Sequence, residues 1–319
     1  MDPRYLSNSA NYSDHRDPDL DAPALREDTT FPLQDKEICR ENVRQCVATA
    51  PGIQIYEDRR VVRVRSDVVV KCGTSVGMHE ANNMRLVHEH GRVRLPEVLD
   101  AWTEDISDSS TDSDESPPEE RKTTFIVMRF VSGMVMERKW PELSPEQREK
   151  LINEIADMIE LLHGIKIDRP GPVGDASRCF GALFTSYGAG PFERPEDLAY
   201  WLNNRLRVCK CFKKVPEDRP PFSIDSLVMC HMDLNPRNII VDDQLQPWLV
   251  DWGRAGGYPR YFEVANLEHT RGTEYLGLLS ERLCDASQEL DVQRLHEMSF
   301  AFSTGATCFR ADLGIGDEY

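Results

Sequence analysis

The run CHMDLNPRNIIVDDQLQPWLVDWGRAGG, residues 230–257, limits what this chain can fold into more than any other stretch. Its two apolar segments, Ile239–Val241 and Trp248–Val250, flank a polar turn at Asp242–Gln246, which predicts an antiparallel hairpin. In a hairpin the first residue of one strand lies opposite the last residue of the other. Asn238 and Asp251 occupy those positions, so a carboxamide and a carboxylate are expected to converge at one end. Paired oxygen donors suit magnesium, a hard cation that keeps several waters. Asp233, five residues before Asn238 in a Pro-containing loop, can bring a third oxygen group to the same place.

The rest of the chain divides around this run. At roughly 150 residues per domain, 319 residues predict two domains or one bilobal unit, and 40% hydrophobic content is enough for a real core. Residues 1–34 are polar, rich in Asp and Pro and without period, and are expected to form a disordered arm. Apolar positions over 35–48 predict a helix. Short β-rich runs follow at Ile53–Tyr56, Arg60–Arg65 and Val68–Lys71, then a helix from His79 to Glu89, then strands at Val98–Trp102 and Thr124–Val131. After Gly133 the pattern turns helical. Ser144 to Gln147 reads as a capping box with Pro145 at the first helical position, and a further helix is expected over Pro195–Cys211 with one or two more after Leu267. The resulting expectation is an α+β chain: a strand-rich small lobe over 35–131 and a larger helical lobe over 132–319.

The formal net charge of -17 argues against a nucleic-acid or anionic-membrane partner. Most of that charge is local. Residues 104–120 hold eight acids and no base, and 1–28 hold seven acids against three arginines, so the folded remainder is only mildly acidic. The 104–120 segment is expected to be an exposed, self-repelling loop inserted in a hairpin, with Ser109 and Ser113 as candidate phosphorylation sites. The nine cysteines include no CxxC pair, which argues against a disulfide framework or zinc module and for a reducing compartment, the cytoplasm. No run of about 18 apolar residues predicts a membrane span. His79, His88 and His90 lie close in sequence, but no pattern of cysteines or carboxylates completes a zinc site.

His231-Met232-Asp233-Leu234-Asn235-Pro236-Arg237-Asn238 with Asp251-Trp252-Gly253 resembles the catalytic loop and metal-binding motif of the protein-kinase-like fold. The Leu-Asn-Pro-Arg-Asn-Ile-Ile-Val run and the later Gly-Tyr-Pro are most similar to the aminoglycoside phosphotransferase family, in particular its fungal members of unassigned substrate. The resemblance spans about residues 60–275 and implies a bilobal protein-kinase-like fold that uses ATP and Mg2+ to phosphorylate a hydroxyl of a small molecule. It assigns Asp233 as the base, Asn238 and Asp251 as metal ligands, and Lys71 at the end of Val68–Val70 as the lysine on the phosphates. Glu80 shares a helical face with Met84 and Val87 and is the expected partner of Lys71, with Glu89 as the alternative. Ile126–Val131 resembles the hinge between lobes, which implies adenine hydrogen bonds from the backbone of Arg129 and Val131.

Two departures bear on activity. The family often carries Gly where this chain has Met232, and no GxGxxG loop precedes Lys71. They keep open a pseudokinase or nucleotide-binding scaffold; the missing Gly loop and the absence of an APE motif count against a protein kinase. Glu268, Glu274 and Glu281 are either acids that attract a cationic acceptor or ordinary surface acids.

Overall fold

The computed structural model describes residues 31–34, 36–56, 58–105, 122–174, 177–269 and 273–307. The small lobe is built on one antiparallel sheet. Its strands are β1 (Gly52–Ile55), β2 (Arg59–Arg65), β3 (Val68–Gly73), β4 (Val98–Asp105) and β5 (Lys122–Arg129), in the order β1-β2-β3-β5-β4. A helix covers each face: α1 (Arg40–Cys46) one, α2 (Met78–Glu89) the other. Strand alternation sorts the side chains. Val68, Val70 and Cys72 of β3, with Phe125 and Val127 of β5, join Val43 and Cys46 of α1 in one core. Val69, Ile126 and Met128 face the other way and pack with Met84 and Val87 of α2. Lys71 falls on this second face by the same period of two. Because both faces are covered, Val68–Val70 at the start of β3 reads as a continuous apolar run rather than an alternating one.

The large lobe follows β6 (Met134–Val135) and α3 (Met136–Lys139). Its central helix α4 (Pro145–His163) starts with the expected capping box: Ser144 Oγ accepts from Gln147 N at 3.3 Å while Gln147 Oε1 accepts from Ser144 N at 2.9 Å. Then come β7 (Lys166–Ile167), α5 (Pro195–Cys211), β8 (Leu227–Cys230), β9 (Ile239–Val241), β10 (Pro247–Leu249) and β11 (Gly256–Tyr258). The chain continues through α6 (Tyr261–His269), α7 (Glu274–Leu283), α8 (Glu289–Glu297) and α9 (Ser299–Phe302). The large core is continuous from the α2 face of the small sheet through α4, α5 and α6. This is the bilobal, protein-kinase-like α+β fold that the sequence implies.

Several sequence expectations shift. Residues 1–30 lie outside the described residues, but the expected arm does not run to 34: Leu33 is 1% exposed and donates its N–H to Val64 O. An apolar residue with a strand to lean on is held even when its neighbours are polar. The acidic loop is likewise shorter than 104–120. Glu104 and Asp105 belong to β4, where Glu104 accepts from Arg44 and from Trp102 Nε1, so those two acids have partners. Residues 106–121, with Ser109 and Ser113, lie outside the described residues. Asp105 stands opposite Lys122 in the β4–β5 register. Among the described residues no helix is long and apolar enough to cross a membrane.

Candidate active site

Two strand pairs fix the loops that carry the polar groups. The catalytic-type loop, residues 231–238, leaves β8 and enters β9; the metal-type turn, residues 250–255, leaves β10 and enters β11. β9 pairs with β10 and β8 pairs with β11, both antiparallel, so the two loops are clamped side by side at both ends. Gly256 makes the second clamp close-packed: a Cβ there would sit 2.2 Å from Gly171 O.

The hairpin register differs by one residue from the expectation. Leu249 pairs with Ile239, and Val250 N donates to Asn238 O at 3.0 Å, so Val250 and not Asp251 lies opposite Asn238. Asp251 is one step further, in the left-handed region at φ 63 and ψ 72. That turn takes it out of the strand and toward the small lobe. There Lys71 Nζ lies 2.9 Å from Asp251 Oδ1 and 2.7 Å from Glu80 Oε1. Burial disfavours the Lys71 ammonium, but the Asp251 and Glu80 carboxylates more than offset this and hold it above its ordinary range. Burial also opposes the Asp251 carboxylate, yet the Lys71 charge holds it well below the usual range. Of the two candidates for the lysine partner, Glu80 takes the role.

Asp233 lies in the loop clamped beside that turn. Its backbone carbonyl accepts from Asn238 Nδ2 at 3.0 Å, which leaves the Asn238 Oδ1 as the atom able to ligate a cation. Arg254 Nη1 lies 3.3 Å from Asp233 Oδ2, a contact for which the sequence gives no signal. Asp251, Asn238 and their surroundings offer hard oxygen donors, the chemistry magnesium requires. At the hinge, Arg129 N already donates to Glu97 O at 2.9 Å, so only its carbonyl is available to an adenine. The Val131 N–H has no partner among the described residues. Arg129 lies three residues along β5 from Ile126, the partner of Lys71, roughly 10 Å at strand rise.

The loop itself is held by groups that no motif marks. Met232 adopts φ 61, the left-handed conformation that explains why Gly is common at this position. Its side chain is buried, and Glu263 of α6 accepts from both His231 N (2.6 Å) and Met232 N (2.9 Å). Asn266 Nδ2 donates to Met232 O at 2.9 Å. These bonds offset a strain of about 1 kcal/mol. Burial pushes Glu263 up to about 7, against the pull of the two backbone N–H groups. His231 is a brace: one ring nitrogen contacts Val250 O at 3.2 Å and the other accepts from Asp233 N at 3.3 Å. Burial holds its pKa below the ordinary value. Behind the loop, His163, Cys230 and Glu263 place ligand-type atoms within 4.8 Å of one another. Burial pushes the His163 imidazole down to about 3 and the Cys230 thiol well up, and both Glu263 oxygens are engaged by the loop.

Other expectations resolve into structure. Trp252 is buried under the hairpin, while Trp248 is half-buried and donates to Asp242 Oδ2 at 2.9 Å across the turn. The α2 histidines do not converge: His79 Nε2 meets Gly253 O at 3.0 Å and His90 Nδ1 meets Leu86 O at 2.9 Å. Glu274 pairs with Arg148 and Trp140 Nε1, and Glu268 with Ser280 Oγ and His296, so these two acids serve helix packing.

The family described as phosphotransferase enzyme family matches residues 57–298. An aminoglycoside 3'-phosphotransferase of Streptomyces fradiae is 23% identical over 195 residues, 58% of this chain. The match spans 61% of that relative's own length. Among solved structures, a streptomycin–ATP–APH(2'')-IIa ternary complex has 13% identity and a TM-score of 0.48, covering 80% of this chain and 86% of that one. ADP-bound APH(2'')-Ib has 12% identity and a TM-score of 0.46, covering 82% and 87%.

Proposed function

The chain belongs to the phosphotransferase enzyme family, and on that premise we propose that it moves the γ-phosphoryl group of ATP to a hydroxyl of a small molecule. The observation that carries this reading is that the loop bearing Asp233 and the turn bearing Asp251 are clamped side by side by two strand pairs. Asp251 is locked to a buried lysine, while Asp233, itself buried, sets its carboxylate 3.3 Å from Arg254. Lys71, aimed by Glu80, neutralises charge on the α- and β-phosphates. Asp233 accepts the acceptor's hydroxyl proton and sets its line of attack. The carbonyl of Arg129 and the N–H of Val131 meet the adenine edge. Asn238 Oδ1 and Asp251 would hold a magnesium ion, whose chemistry when bound would be to stabilise negative charge on the phosphates. Catalysis of this kind rests on positioning and fixed charges, so these few groups suffice.

A nucleotide-binding scaffold without turnover is the second reading, and the Arg254–Asp233 ion pair favours it, because the guanidinium occupies the carboxylate edge that an acceptor hydroxyl would have to reach. The described cysteines are free thiols, which supports a cytoplasmic setting. The test is ATP-to-ADP conversion against a library of hydroxyl metabolites, aminoglycosides and choline included, beside Asp233→Asn. Turnover should fall about 100-fold or more in the variant, the range for a positioned base. An Asp233→Asn protein with full turnover sinks the assignment of Asp233 as the base; nucleotide binding by wild type with no acceptor turned over sinks the phosphotransfer reading and supports the scaffold.

A further inference from the structure

α2 reaches the metal-type turn through more than Glu80. Asn83, one turn along the same face, is fully buried and uses its whole amide. Its Nδ2 donates to Trp252 O at 3.1 Å and to Ala255 O at 2.9 Å, and its Oδ1 accepts from Val173 N at 3.1 Å. The partners settle which way the amide points: two carbonyls need the NH2 group, and one N–H needs the oxygen. His79, four residues before Asn83, adds a contact to Gly253 O at 3.0 Å. Three carbonyls of the turn that begins at Asp251 are therefore gripped by one helix. A Cβ at Gly253 would make only ordinary contacts, 3.5 Å from Glu80 Oε2 and 3.6 Å from Asp251 Oδ1, so the grip rests on the hydrogen bonds and not on glycine there.

We propose that Asn83, assisted by His79, is a positioning residue that locks the metal-type turn to α2, so that Lys71, Glu80 and Asp251 are assembled before any ligand arrives. The role of Asp251 toward metal and nucleotide rests on the function proposed above; the lock itself does not. The physical reason is economy of freedom. Glu80 and Asn83 stand three residues apart on one rigid helix face, so fixing α2 against the turn fixes the lysine partner and the metal ligand in one step. Without Asn83 the carbonyls of Trp252 and Ala255 lose buried donors, and the left-handed turn at Asp251 loses its outer support. An α2 held in this way does not swing out to switch the site off.

The experiment uses the full chain in two arms. Hydrogen exchange is followed in the ligand-free protein, and the magnesium dependence of ATP binding is followed by calorimetry, for wild type, Asn83→Ala and His79→Ala. In Asn83→Ala, amides of 252–258 should exchange about tenfold faster or more while those of the β9–β10 hairpin keep their rate. The magnesium needed for half-maximal ATP binding should rise by about tenfold, the equivalent of one buried hydrogen bond, with magnesium-free ATP binding unchanged. His79→Ala should give the same pattern, smaller. Unchanged exchange at 252–258, or faster exchange everywhere at once, overturns the lock. If Asn83→Ala does not fold, His79→Ala decides: a local rise in exchange supports the lock, and its absence overturns it. If wild type binds no ATP with magnesium, the functional reading falls, while the exchange arm still judges the lock.

Discussion

The two faces of the small-lobe sheet are covered by helices of similar standing in the sequence, yet they are attached by different physics. On the α1 face the polar contacts are peripheral: Arg40 with Asp100 and Arg44 with Glu104, with Arg40 also over the Trp102 ring. The Arg40 and Asp100 side chains are 52% and 37% exposed, against 10% and 4% for Lys71 and Glu80 on the α2 face. Exposed pairs are screened by water and salt and fix little. Buried ones fix geometry, because each partner left alone would be costly. The sheet thus has one face that only needs to be covered and one that must be exact to a fraction of an ångström.

Four measurements can break or sharpen this contrast. The largest effect is expected from Lys71→Met on the α2 face. It leaves the Glu80 and Asp251 carboxylates close together and unpaired, so phosphotransfer should fall by about 100-fold or more. Magnesium-ATP should no longer raise the melting temperature; a variant that still responds like wild type would place the nucleotide elsewhere. Phe125→Ala, on the α1 face, removes the ring stacked 4.9 Å from Trp102. It should cost about 3 kcal/mol of stability in denaturant unfolding. The magnesium dependence of ATP binding should not move; a change there would mean the faces are not independent.

The third concerns the buried carboxylate that extends the α2-face network into the large lobe. Glu263 rises from the ordinary 4.5 to about 7 on folding. Between those values the native state binds the extra proton, so its contribution to stability is full below pH 4.5 and is lost as pH rises through 7. Glu263→Gln should flatten this part of the stability–pH curve. An unchanged slope would show that another group titrates there. The smallest effect is expected from Arg40→Ala: no resolvable shift in melting temperature at physiological or higher salt. A clear loss would make the α1 face as polar-dependent as the other.

Most of the fold was legible because it follows period. The β-rich runs of β3 and β5, the i, i+3, i+4 face of α4, and the Ser144 capping box each act over a few residues, and each element lies close to where its pattern places it. Of the candidate site, Lys71, Glu80 and Asp251 meet in one ion-pair cluster, and Asn238 bonds the Asp233 carbonyl in the neighbouring loop. What was not legible depends on partners far along the chain. Asn83 meets carbonyls about 170 positions away, and Glu263 caps amides some 30 positions before it. Nothing local distinguishes that Asn from Asn82, its neighbour. The hairpin offset has a different cause: Asp251 leaves the strand through a left-handed turn, and a non-glycine residue carries no local sign of that conformation. Leu33 was missed because burial by one apolar residue has no period to detect.

The facing ends of β4 and β5 have a practical use. Asp105 and Lys122 are register partners, so whatever joins them enters and leaves the lobe at one point. Lys122 is seven residue steps along β5 from Arg129, roughly 23 Å of strand away from the hinge. The join is therefore a grafting port. A two-residue Asn-Gly link matches the twist of the flanking strands and would close it tightly. A fluorescent or affinity module spliced between the same two residues would add only a logarithmic closure cost. Such a module would ride on the lobe as a handle, reporting on the chain without entering the cleft.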